Sequence, residues 1–291
     1  MNKAKKQKLI FFLLGLSTLF VIIPVIAIIY FLISRGLPAI NWNFLTSMPE
    51  NGMRDGGIYP AIIGTLYLMT FTLIFAVPVG VFSAIYLTEY AKKGKITRFI
   101  RLAIINLAGV PSIVYGLFGY GFFVLFILPW IGAHFGQSWG KSILAGSMTL
   151  ALMILPVVIT ASEEALLTVP QSFRYGSLAL GATKWQTIWK VVLPNSAGGI
   201  ITGVILGVSR AAGETAPIMF TAAAYFLPRI PDSPLKDCMA LPYHLYVIAT
   251  EMPDPPVNIQ WGTALVLLTL VLGMNLIATI IRARFRRSRN W

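Results

Sequence analysis

The sequence predicts an all-α, polytopic membrane helix bundle: six transmembrane helices, with both termini on the cytoplasmic side. Composition is the first reason. Of 291 residues, 57% are hydrophobic and 11% are charged, with a mean hydropathy of +0.77; a soluble domain carries about 25% charged residues. Six apolar runs are the second reason, at 9–33, 61–87, 102–128, 143–160, 198–226 and 261–281. Each approaches or exceeds the roughly 20 residues a crossing needs. The third is the placement of basic residues. Counting alternate connections, 17 of the 23 lysines and arginines fall on one side, five on the other, and Arg210 lies inside a run. Such a bias marks the cytoplasmic side. The net charge of +13 is therefore a topology signal and not a nucleic-acid footprint.

In chain order, the first run follows Lys3, Lys5, Lys6 and Lys8. It is too long for a signal-peptide core and no small-residue cleavage site follows, so it reads as a retained helix that starts inside. Pro24, Pro78, Pro111 and Pro156 lie within runs and read as kinks. The third run, with Pro111, is expected to be one kinked helix. The outer segments 34–60 and 227–260 hold most of the acids and many prolines. The apolar stretch 239–250 has three placements open to it: on the membrane surface, under a partner, or over its own bundle as a cap. His134 and His244 read as surface or interfacial residues, and a single cysteine, Cys238, excludes an internal disulfide.

Arg210 and Glu214 stand near the middle of the fifth run. A charge at the centre of a membrane helix costs roughly 2.5–3.5 kcal/mol, so an intramembrane ionisable residue is a functional-site hypothesis by default. Spacing of four puts both on one helix face, close enough to pair. Gly199, Gly203, Gly207, Ala211 and Thr215 form a small-residue stripe that includes the two charges at 100° per residue. Small stripes allow close helix contact, so the pair is expected to face protein or a water-filled path. Pro217 lacks the N–H that would bond the Gly213 carbonyl, leaving a second polar group beside the pair. Arg210, Gly213, Glu214 and Thr215 are thus the candidate path for a small anion, which the planar arginine fork suits. A purely structural pair locking two helices is the other reading.

The connection 163–194 is too patterned for a passive link. Pro170 can start a helix and Gly181 can end it. Thr183 with Gln186 forms a capping box for a second. Trp185, Ile188, Trp189 and Val192 are expected to make one apolar stripe, with Pro194 marking the start of the fifth crossing. Glu163 and Glu164 are expected to pair with Arg174 or Lys184, or to be solvated. The element reads equally as an amphipathic pair on the headgroups or as a dock for a soluble partner.

Gly181, followed after nine residues by Val191-Val192-Leu193-Pro194, resembles the EAA loop of ABC-transporter permeases. The Glu-Ala-Ala of that family falls on Tyr175, Gly176 and Ser177 here. Three further strings narrow the resemblance to the permeases of phosphate ABC importers: Leu180 to Thr187, Arg210 to Pro217, and Gly109 to Val114. The resemblance implies a coupling role for Arg174, Leu180, Gly181, Ala182, Thr183, Lys184 and Trp185. It also implies a second permease chain, two ATPase subunits that carry ATP and magnesium, an extracytoplasmic phosphate-binding protein, and a place in the cytoplasmic membrane among its lipid. No cofactor is expected in this chain. Permeases for sulfate or molybdate, and a non-conducting signalling or scaffold subunit, are the alternatives.

Enzyme signatures fail. The string 136–142 has three residues between its glycines where a P-loop needs four. Gly119 and Gly121 lack the third glycine of a dinucleotide fingerprint. No metal-ligand or nucleophile–base spacing occurs, so any ATP-driven work needs a partner.

Overall fold

The computed structural model describes residues 3–135 and 139–287. Residues 136–138 of the rejected glycine string, and Arg289 of the basic C-terminus, lie outside them. Among the described residues, six helices are long and apolar enough to cross a membrane. These are spans one to six: Gln7–Ala39, Tyr59–Tyr90, Ser112–His134, Ile143–Leu167, Lys184–Ala212 and Val257–Arg284. The expected six-span bundle is what the protein adopts. Its strand content among the described residues is one short pairing, Pro49–Glu50 against Asp55–Gly56, and a bridge between Ala223 and Cys238.

Span four is the axis. Two-thirds of its apolar window is buried within the chain, against none of span one's. Small residues set its distances. Gly80 of span two lies against Val158, and Gly199 and Gly203 of span five lie against Ala165 and Ala161. Ser147 donates to the Leu68 carbonyl (3.1 Å), tying span four to span two. In hydrocarbon, where apolar faces gain nothing from avoiding lipid, such close approach and hydrogen bonding hold the helices together. Span one is peripheral, its Gly36 set against the Trp261 carbonyl and Leu265 of span six.

Three boundaries differ from expectation. Span three starts at Ser112; residues 102–108 belong to a separate amphipathic helix, Lys95–Ala108. Pro111 offers no N–H and disfavours helix at Val110, and the preceding helix is amphipathic, carrying Lys95, Arg98 and Arg101. The single kinked helix expected over 102–128 is therefore two. Span four continues to Leu167, past residue 160, and Glu163 in its last turns pairs with Arg101 (2.5 Å). Span five starts at Lys184, runs through a wide turn at Ile188–Val192 that accommodates Pro194, and stops at Ala212. Residues 198–226 are not one helix.

Of the three placements open to 239–250, the cap over its own bundle is the one found. Met239, Leu241, Val247 and Ile248 are buried. The Leu241 N–H donates to Thr65 Oγ1 (2.8 Å), and Ala224 N–H donates to the Cys238 carbonyl (2.9 Å). Gly64 makes this docking possible, because a Cβ there would collide with the Met239 carbonyl and crowd Cys238. Burial pushes the Cys238 thiol up to about 12, leaving it inert. In Gly64→Ala the cap is expected to lift, and maleimide labelling of Cys238 to rise by about ten-fold or more. An unchanged labelling rate would show that the cap docks without this contact.

His134 is exposed, but the reading of His244 as a surface residue is corrected. It is 2% exposed, and neither ring nitrogen has a hydrogen-bond partner among the described residues. Burial lowers its pKa from 6.5 to about 4. The neutral ring is thus native. Its contribution is fully present above pH 6.5 and is lost as the pH falls towards 4, by about 3 kcal/mol. The stability difference between wild type and His244→Leu should move by that amount between pH 7 and pH 4. A difference independent of pH would mean the ring gains a proton without cost.

Candidate functional site

The two intramembrane charges sit at a break, not within a continuous helix. Arg210 is in the last turn of span five. Residues 213–215 are non-helical, and a short helix, Ala216–Thr221, restarts with Pro217 in its first turn. Proline is tolerated there because the first turn lacks intrahelical acceptors. Helix ends leave carbonyls unpaired, and the partial negative charge of a C-terminus favours a cation such as Arg210. The sequence therefore stabilises its guanidinium by ending the helix around it.

Depth follows from packing. Gly199 faces Ala165, Gly203 faces Ala161, and Gly207 faces Ile154 and Val158. Extending this antiparallel register puts Arg210 opposite residue 154, near the middle of span four. The predicted stripe thus packs as expected at its glycines. Arg210, however, lies at its edge with a side chain 36% exposed, and Glu214 is 20% exposed. Arg210 Nε stands 3.6 Å from Glu214 Oε1. That is an ion pair beyond hydrogen-bond length, so the guanidinium retains donors for another acceptor. Thr215 and Gly213 share the break, and Gly213 is exposed with open space around it.

A second break faces the first. Gly116 of span three packs on the Ala216 carbonyl and Pro217, where a Cβ would lie 2.9 Å from that oxygen. Tyr115 donates to the Leu107 carbonyl (2.7 Å), spanning the break at Gly109–Pro111. Tyr115 was missed from sequence; the Gly-x-Pro signal four residues earlier could have found it.

The connection between spans four and five builds as expected at its turn. Helix Gln171–Ala179 ends before Gly181, whose φ of 85° suits glycine. The Thr183–Gln186 capping box is present in both directions. Leu180, Gly181, Thr183, Lys184 and Trp185 form an exposed tip, with Ala182 partly covered. Two expectations are corrected. Trp185, Ile188, Trp189 and Val192 are not one stripe: Ile188 and Val192 are buried against Ala84, Ile85, Leu166 and Val169, whereas the two tryptophans stack on each other outside. Arg174 pairs with Glu89 of span two, not with Glu163 or Glu164. Its guanidinium, 8% exposed as a residue, donates to Glu89 Oε1 (2.8 and 3.1 Å) and to the Leu166 and Val169 carbonyls (2.8 and 2.5 Å). Lys184 donates to the Glu89 carbonyl and lies 4.7 Å over the Tyr90 ring. The tip is thereby braced on the end of span two. Among the described residues, no cluster of His, Cys, Asp and Glu could hold a metal.

Known proteins share this plan. The chain is 32% identical to the probable phosphate transport system permease protein PstA of Methanocaldococcus jannaschii, over 92% of this chain and 91% of that one. It is 32% identical to the phosphate transport system permease protein PstA of Haemophilus influenzae, over 91% and 90%. A chain of a bacterial alginate ABC transporter, crystallised with an alginate pentasaccharide-bound periplasmic protein, superposes with a TM-score of 0.69 over 96% of both chains at 14% identity, a likeness of fold. Residues 76–290 match the family described as binding-protein-dependent transport system inner membrane component. With six helices among the described residues long and apolar enough to cross a membrane, and with that family match over most of its length, the chain belongs to the family, as a multi-pass inner-membrane subunit of a transport system.

Proposed function

We propose that the protein is the permease subunit of an ATP-driven importer of inorganic phosphate, and that Arg210, Gly213, Glu214 and Thr215 line the route. The observation that carries this reading is a guanidinium at mid-depth, beside a helix break, with its carboxylate partner 3.6 Å away. An arriving oxyanion takes parallel charge-assisted bonds from the fork, and Glu214 holds the guanidinium when no anion is there. One arginine binds weakly enough for release, as conduction requires. The relatives named for phosphate transport support the choice of anion.

The basic end of the bundle faces the cytoplasm in this reading, on the strength of the positive-inside bias. There the exposed tip, Leu180 to Trp185, meets one of two ATPase subunits, which carry ATP and magnesium. A second permease chain completes the pathway, and an extracytoplasmic binding protein delivers phosphate. Lys184 to Arg210 is a single helical rod of about 40 Å at 1.5 Å per residue. A tilt imposed on the tip by the ATPase therefore moves the guanidinium directly. The test is ATP hydrolysis by the reconstituted complex with its binding protein. Phosphate is expected to stimulate it and sulfate is not. Stimulation by sulfate would reassign the anion, and stimulation by neither would point to a non-conducting subunit.

A further inference from the structure

One hollow at the basic end belongs to neither the break nor the coupling tip. It has a volume of about 390 Å³ and lies where the end of span two, helix Lys95–Ala108 and the end of span four meet. Lys93, Arg98 and Arg101 line it with Thr88, Thr97 and Leu167, and no acid lines it. Among the described residues, neither Lys93 nor Arg98 has an ion-pair partner. Arg101 uses a terminal nitrogen on Glu163 and on the Leu87 carbonyl, while its Nε is buried with no hydrogen-bond partner. The helix that carries these arginines starts at Gly94 without a side-chain cap, so its first N–H groups add positive potential.

That helix is also amphipathic, and none of its residues is buried by the rest of the chain. Ile96 and Phe99 are 78% and 72% exposed, and Ile100 and Leu107 are exposed on the same side of the helix, away from Arg98 and Arg101. A helix with cations on one face and bare apolar side chains on the other lies in the bilayer interface. Basic pockets at such a boundary take phosphate headgroups. We propose that this hollow binds the headgroup phosphate of an acidic phospholipid, with its acyl chains along the exposed apolar residues of Lys95–Ala108. A phosphate oxyanion is the recognised group. The apolar flank selects the lipid over a free ion, because an inorganic anion would leave it uncovered.

Native mass spectrometry of the assembled complex, titrated with phosphatidylglycerol or phosphatidylcholine, reads the site. Phosphatidylglycerol should be retained in preference, and 10-fold excess inorganic phosphate should not displace it. Lys93→Gln with Arg98→Gln should weaken retention by about 100-fold or more, the factor for two charge-assisted hydrogen bonds to the headgroup phosphate. Both side chains are exposed, and Arg101 with its Glu163 contact is left intact. Lys92→Gln with Lys95→Gln removes the same charge outside the hollow and should leave retention unchanged. Equal losses in the two double variants would reduce the effect to diffuse attraction and overturn the site. So would equal retention of the two lipids. Displacement by inorganic phosphate would assign the hollow to a free anion instead.

Discussion

Arg210→Lys is expected to assemble at wild-type levels and to cut phosphate uptake by about ten-fold or more. The substitution keeps the positive charge, so the attraction to Glu214 and to the helix C-terminus survives. It removes the planar fork and, in the proposed role, one of two parallel bonds to the oxyanion. A hydrogen bond to a charged group is worth about 1.5–3 kcal/mol, which is roughly ten-fold to a hundred-fold in rate when it is made on the way through. Uptake into vesicles of the assembled complex, normalised to the amount of this subunit, measures it. Wild-type uptake by Arg210→Lys would mean the guanidinium never touches the anion. Arg210→Ala is less informative. The side chain is 36% exposed, so stranding Glu214 costs less than in a fully buried pair, and loss of uptake would not separate a missing ligand from a shifted helix.

The six crossings were legible because length and apolarity are properties of contiguous residues, and the bilayer imposes both. The turn at Gly181 and the Thr183–Gln186 box were legible for the same reason: a positive φ and a reciprocal cap are decided within a few residues. What escaped is what distant segments decide. Gly109–Pro111 is compatible with a kink or a break; the contact of Gly116 with Ala216 and Pro217 and the Tyr115 bond to Leu107 come with the break. Likewise Pro217 is compatible with a local fault or with a full interruption; the chain stops at Ala212 and restarts at Ala216. The four residues proposed for the route still share one place, because they are adjacent in sequence. The burial of His244 arises only when the cap folds over spans two and six.

Glu89 escaped altogether. It lies 85 residues from Arg174, so no local pattern links them, and yet the pair is the most buried ion pair among the described residues, with side chains 9% and 11% exposed. Glu89→Gln is therefore expected to lower stability by about 3–5 kcal/mol, since it leaves a desolvated guanidinium with carbonyl acceptors alone. A second substitution separates packing from coupling. In Glu89→Gln with Arg174→Met the buried charge is gone, and an apolar stem fills much of the same volume; such replacements are often neutral or better for stability. Thermal unfolding of the double variant should return close to wild type. Phosphate-stimulated ATP hydrolysis should not, because the ion pair that ties helix Gln171–Ala179 to span two is then gone, and the proposed coupling tip is held to span two only by Lys184 and by apolar packing. The ion-paired tether is the directional one; without it, a push on the tip is passed to span two through weaker contacts, while span five still moves with its own helix. Recovery of both stability and coupled hydrolysis in the double variant would reduce the pair to a packing element, and wild-type behaviour of Glu89→Gln would remove it from the mechanism.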